Sequence, residues 1–127
     1  MKVLLDTNVL LWWLMGSPRL DDGSRDLIAD PSNEILVSVV SLWEIAIKVR
    51  IGKLRADLHE IEGQIEQEGF QRVAIASAHL GALMPLPQHH RDPFDHLLMA
   101  QAISEEAVFL TSDRLVQRYP VRAIFTP

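Results

Sequence analysis

The sequence predicts an α/β fold, a three-layer α/β/α sandwich around a short central parallel sheet. Two observations carry this. Short apolar runs (Val3-Leu4-Leu5, Ile35-Leu36-Val37, Val108-Phe109-Leu110) alternate with segments of helical length, as strands buried on both faces do. No repeat, linker or low-complexity stretch interrupts the 127 residues, of which 48% are hydrophobic, enough for one core. Residues 1–127 therefore read as a single domain.

Each element has its local reason. Val3–Leu5 ends abruptly in Asp-Thr-Asn, a buried strand and its exit turn. Residues 9–15 read as helix, closed by Gly16-Ser17-Pro18, and a second helix runs from about Asp22 to Ala29, stopped by Asp30-Pro31. Ile35–Val37 is the next strand. Ser41 is the expected N-cap of a helix through Ile51, with Gly52 as its C-terminal glycine. That helix is apolar nearly all round, so it is expected to be deeply packed. Asp57–Glu68 is amphipathic and ends at Gly69. Arg72–Ile75 reads as strand, Ser77–Met84 as a short helix, and the Pro85–Arg91 stretch as a loop. Residues 93–105 are helical, 108–110 a strand, Ser112–Arg118 a helical turn and Ala123–Phe125 an edge strand.

Composition narrows the function. Twelve Lys and Arg face seventeen Asp and Glu, a net charge of −5, with five His and no Cys. This excludes a disulfide-stapled mini-protein, a Cys-based zinc finger and a thiol nucleophile. It also argues against a generic nucleic-acid binder, which is usually basic overall. The charge is unevenly spread: Lys48, Arg50, Lys53 and Arg55 form a basic run, followed by an acidic run over residues 56–70 that reads as a solvated helix face. Asp6 interrupts the apolar N-terminus and no cleavage site follows it, and no stretch reaches the ~18 apolar residues of a membrane span. The chain reads as cytoplasmic, complete and without a membrane partner.

Four acids stand in unusual places. Asp6 and Asp113 each end a strand, and open parallel sheets bind ligands at the carboxyl ends of their strands. Glu44 shares a helix face with Val40 and Ile47; Asp95 shares one with Leu98, Met99 and Ala102. Carboxylates on apolar stripes need a partner or a metal, and an all-oxygen donor set suits Mg2+ or Mn2+. Each also has a plainer reading. Asp6 and Asp113 can cap helices, Asp92-Pro93-Phe94-Asp95 is ordinary helix-start chemistry, and Glu44 can pair with Lys48 one turn on. His89-His90, in a Pro-flanked loop, read as exposed. His96 can line a pocket but has no partner at metal-binding spacing, which counts against zinc. No Walker A, G-x-G-x-x-G or G-x-S-x-G motif is present.

Leu4-Leu5-Asp6-Thr7-Asn8, Ser41-Leu42-Trp43-Glu44-Ile45, Arg91-Asp92-Pro93-Phe94-Asp95 and Leu110-Thr111-Ser112-Asp113-Arg114, in that order, resemble the motifs of PIN-domain nucleases. The resemblance is strongest to VapC-type toxins of bacterial type II toxin–antitoxin pairs and runs from residue 2 to about 125. It implies a metal-dependent, single-strand-specific endoribonuclease. It maps Asp6, Glu44, Asp95 and Asp113 onto an acidic cluster around one or two Mg2+ or Mn2+ ions, with Asn8, Thr111 and Ser112 in support. It also implies a homodimer and a cognate antitoxin. Lys48, Arg91 and Arg114 are candidates for holding the RNA backbone. The rival from another class is a non-catalytic phosphate-binding or regulatory α/β module with a structural metal ion. A receiver-like version of it fits poorly, because no Lys lies beyond Lys53.

Overall fold

The computed structural model describes residues 1–127. Five strands, β1 (Lys2–Leu5), β2 (Glu34–Ser38), β3 (Gln71–Val73), β4 (Val108–Thr111) and β5 (Ala123–Phe125), form one sheet in the order β3-β2-β1-β4-β5. Every adjacent pair is parallel. The helices are α1 (Thr7–Met15), α2 (Asp22–Ala29), α3 (Val39–Arg50), α4 (Leu58–Glu68), α5 (Ser77–Leu83) and α6 (Pro93–Ser104), with a 3-10 turn over Arg114–Arg118. The expected α/β fold class is the one observed.

Strand alternation makes the three layers. Val3 and Leu5 of β1, Ile35 and Val37 of β2 and Leu110 of β4 point to one face, where Leu10, Ile28, Ile61 and Ile65 bury them. Leu4, Leu36 and Phe109, one residue out of step, point to the other face, against Leu98, Met99 and Ala102 of α6. Helix α3 sits at the seam, giving Leu42 and Ile45 to the first core and Val40 to the second. Two helix ends use glycine for a left-handed turn: Gly16 (φ 63°) after α1 and Gly69 (φ 73°) after α4.

Two expectations about α3 are corrected. Its N-cap is Ser38, not Ser41: the Ser38 hydroxyl accepts from Val40 N at 3.0 Å, so β2 turns into the helix without a loop. The β-branched pair Val39-Val40 forms the first helical turn. Ser41 is left inside the helix, fully buried. Nor is α3 packed all round. Trp43 is 50% exposed, and it lies edge-on to Phe94 of α6 with ring centroids 4.8 Å apart. Shorter shifts occur elsewhere. Strand β3 covers Gln71–Val73 rather than Arg72–Ile75, and Asp113 rather than Ser112 opens the 3-10 turn.

The strand order has a direct consequence for function. From β1 the chain moves outward through β2 to β3, then returns to lay β4 on the other side of β1. The connections after β1 and β4 thus diverge, leaving a crevice at the carboxyl ends of these two strands.

Candidate active site

The crevice is built by hydrogen bonds that extend the β1–β4 ladder. Asp6 N donates to Leu110 O at 2.9 Å, carrying the pairing one residue past the end of β1. Asp6 therefore lies beside Thr111, whose hydroxyl donates to Asp6 Oδ2 at 2.6 Å. The same Thr111 oxygen accepts from Asp113 N at 3.1 Å. One buried threonine thus ties the two strand-end acids to a common point. Asp6 Oδ1 accepts from Thr7 N at 2.7 Å and caps α1, while Asp113 Oδ1 accepts from Leu115 N at 3.0 Å and caps the 3-10 turn.

Glu44 approaches from α3 and is 6% exposed. Its Oε1 accepts from the Thr7 hydroxyl at 2.7 Å, and its Oε2 accepts from Lys48 Nζ at the same distance. Ser41 supports this contact from one turn before, its hydroxyl 2.9 Å from that of Thr7. Asp95 comes from the first turn of α6, where Asp92 Oδ1 accepts from Phe94 N and Asp95 N at 2.9 and 3.2 Å.

The charges register the convergence. Burial lifts the Asp6 carboxyl to about 6; the bonds from Thr111 and Thr7 hold it down in part, while Glu44 and Asp113 push it further up. Asp95 is raised more strongly, first by burial and then by the negative charges of Asp6, Asp92, Glu44 and Asp113. Lys48 is raised, chiefly by its bond to Glu44. Four carboxylates therefore face one another with a single lysine among them.

The family model of the PIN domain matches residues 3–121. The chain belongs to the PIN domain family. Members of this family are generally nucleases. The fold of this PIN domain is shared with a chain in the crystal structure of VapBC2 from Rickettsia felis bound to a DNA fragment from their promoter. The TM-score is 0.73 at 18% identity, over 100% of both chains. It is likewise shared with a chain in the crystal structure of DNA-bound VapBC from Salmonella typhimurium, at TM-score 0.72 and 16% identity, over 100% of this chain and 99% of that one. A domain of a functionally unknown protein from Methanocaldococcus jannaschii matches at TM-score 0.61 and 15% identity, over 99% and 91% of the two chains. No protein of curated function matches in sequence.

The donor set of this PIN domain fits a divalent cation. Its oxygens are hard ligands, and Asp6 and Asp95 are raised first by burial and then by neighbouring acids, both of which a cation would offset. Thr7 and Thr111 lock one oxygen each of Glu44 and Asp6, as supporting groups around metal ligands do.

The remaining sequence candidates fall at different distances from this centre. Asn8 is exposed and no hydrogen bond joins it to the acids; Thr7, its neighbour, makes that contact instead. Ser112 is half-buried between Thr111 and Asp113. Arg91 and Arg114 are exposed, with the Arg114 guanidinium 5.2 Å from the Phe125 ring. His90 corrects the expectation of an exposed loop: its side chain is 14% exposed, with Nε2 3.3 Å from Asp95 Oδ2. It is held there by Tyr119, a residue the sequence offered no reason to single out. A cleft of about 650 Å³ lies elsewhere, near the amino ends of β2 and β3 between Trp13, Pro31 and Phe70.

No helix is long and apolar enough to cross a membrane.

Proposed function

We propose that this PIN domain is a divalent-metal-dependent endoribonuclease, the toxin of a type II toxin–antitoxin pair. The observation that carries the reading is the meeting of Asp6, Glu44, Asp95 and Asp113, from four separate segments, at the diverging ends of β1 and β4. These four residues would hold one or two ions, Mg2+ or Mn2+. When bound, such an ion supplies Lewis acidity to an attacking water and offsets the charge of the phosphodiester. Thr111 and Thr7 keep the Asp6 and Glu44 carboxylates in place, so that no reorganisation is needed as the substrate arrives. Lys48, already drawn towards the acids by Glu44, directs positive charge at the phosphate. Arg91 and Arg114, at the exposed rim, hold the flanking backbone, with Asn8 and Ser112 offering hydrogen bonds along the same edge.

The VapBC complexes that share the fold support an antitoxin partner. Exposed Trp43, Leu80 and Met84 support burial against another protein, whether antitoxin or a second copy in a homodimer. A cytoplasmic location goes with this reading.

The test is cleavage of single-stranded RNA by purified protein in Mg2+ or Mn2+, alone and with chelator. Wild type is expected to cut, and chelation to stop cutting reversibly. Asp6→Asn, Glu44→Gln, Asp95→Asn and Asp113→Asn are each expected to lower the rate by at least about a hundredfold, as loss of a main electrostatic group does. A fully folded Asp6→Asn protein cutting at the wild-type rate would sink the assignment. Loss of stability on chelation, with no cleavage under any condition, would favour the module with a structural ion.

A further inference from the structure

Three groups approach one another inside the crevice in a way that the four-acid cluster does not account for. His90, Asp95 and Asp113 each offer a possible ligand atom, and these atoms all lie within 4.8 Å of one another. Two of the three are acids already described. The third is an imidazole, from the loop before α6.

The position of His90 is tightly determined. The Tyr119 oxygen accepts from the backbone N–H groups of His89 and His90 at 2.9 and 3.2 Å, which fixes the loop. The same oxygen lies 2.7 Å from His90 Nδ1 and 3.2 Å from His96 Nε2. The His96 ring packs edge-on to the His90 ring with centroids 4.8 Å apart. Tyr119 is only 5% exposed, so this anchor belongs to the core and not to a mobile rim. With Nδ1 occupied by the tyrosine, His90 can turn only Nε2 towards the acids.

We infer that His90 Nε2 is a metal ligand of this PIN domain, sharing an ion with Asp95 and Asp113 and biasing the centre towards Mn2+ over Mg2+. The inference rests on the reading of the acids as a metal site and adds a ligand to it.

Two chemical arguments support it. First, ligating histidines direct their second ring nitrogen to an oxygen that sets tautomer and orientation, and Tyr119 stands where that oxygen is needed. When Tyr119 donates its proton to His90 Nδ1, the imidazole N–H is on Nε2 and points at Asp95. When Tyr119 donates to His96 Nε2 instead, His90 carries its proton on Nδ1 and leaves the Nε2 lone pair bare. In the second arrangement the phenol oxygen shares its lone pairs among three N–H groups, with His90 Nδ1 the shortest at 2.7 Å, and the ring keeps its position. Second, Mg2+ dehydrates reluctantly and keeps its own water, whereas Mn2+, a transition-metal ion that shares its taste for carboxylates, gives up water more readily to a nitrogen donor. A site with one nitrogen among carboxylates discriminates between ions that an all-oxygen site treats alike.

The experiment is pulsed electron paramagnetic resonance on the full chain loaded with one equivalent of Mn2+, in protein of natural isotope content and in protein labelled with 15N-histidine. We expect an imidazole 14N coupling that changes to a 15N pattern on labelling. It should persist in His89→Gln and vanish in His90→Gln. Calorimetric titration of the same proteins is expected to show at least a tenfold loss of Mn2+ affinity in His90→Gln and a smaller loss for Mg2+. Bound Mn2+ without histidine coupling in wild type would overturn the His90 ligand while leaving the acidic metal site standing. Failure of Mn2+ to bind at all would overturn both. The isotope experiment needs no variant, so the result does not depend on His90→Gln folding.

Discussion

At the scale of single residues, the acids of the crevice serve two purposes at once. Asp6, Asp92 and Asp113 cap helical starts, and Glu44 pairs with Lys48, as the plainer sequence readings had it. Asp6, Glu44, Asp95 and Asp113 also converge. The two accounts do not compete, because in a parallel sheet the residue that leaves a strand is the residue that starts the next helix. The cost of convergence is measurable. Asp6 carries a carboxyl raised to about 6 from an ordinary 3.8, so between these values the native state holds a proton that the unfolded chain releases. Stability from this residue is therefore present below pH 4 and is lost as pH rises to 6 and beyond, to the extent of about 3 kcal/mol. In metal-free protein, Asp6→Asn is expected to gain stability relative to wild type as pH goes from 4 to 7. Denaturant titrations of both proteins at these two pH values check this; a difference independent of pH would refute the raised carboxyl.

The residue scale is also where sequence reasoning was most uneven. The four acids were legible because burial of a carboxylate is improbable without a reason, and the pattern of Leu98, Met99 and Ala102 around Asp95 announces burial. Thr7 was legible in principle, since it sits inside Asp-Thr-Asn, but nothing local shows that its hydroxyl, across 37 residues, reaches Glu44. His90 and Tyr119 were not legible. They are 29 residues apart, and nothing local shows that the oxygen of one fixes the loop of the other.

Among elements, helix α6 gives the clearest case of local chemistry positioning a distant function. Asp92 takes two backbone N–H groups, Pro93 presets the first turn, and Asp95 is delivered to the crevice at the third helical position. Asp92→Ala is expected to cost about 1 kcal/mol of stability and to reduce cleavage by loosening Asp95. Asp92→Asn retains the cap and should restore most of both. Parallel thermal melts and cleavage rates separate these; equal damage in the two variants would mean that the charge of Asp92, not its cap, is what matters. Helix α6 was readable to within a residue because its start signals are strong. Helix α3 was misplaced because Ser38 and Ser41 are both good caps, and only the sheet decides that the strand ends at the first.

For the molecule as a whole, the acidic balance takes on a different meaning. The charge of −5 is concentrated partly in α4, which carries Glu60, Glu62, Glu66 and Glu68, and partly in the crevice. Crevice acids repel in the metal-free protein and cease to do so when a cation is present. Mg2+ or Mn2+ at millimolar concentration is therefore expected to raise the melting temperature by several degrees at pH 7, and by less at pH 5, where protons occupy the same positions. Scanning calorimetry at the two pH values, with K+ at matched ionic strength as control, is the measurement. An equal rise with K+ would reduce the effect to general screening. The sheet order that makes this crevice was only partly legible. The parallel class follows from apolar strands between helices, but the return of β4 to the far side of β1 is decided by tertiary packing.

That return has a consequence in time. The bond from Thr111 to Asp6 joins residues 105 positions apart, and Asp113 follows β4 directly. While the chain is being synthesised, Asp6, Glu44 and Asp95 emerge first and have no fourth partner, and Asp6 lacks the Thr111 hydroxyl. Only when β4 slides in against β1 does the centre close. A chain cut short before residue 108 carries three of the four acids and lacks Thr111, which ties Asp6 to Asp113. The four acids thus come together late, only once β4 has joined the sheet.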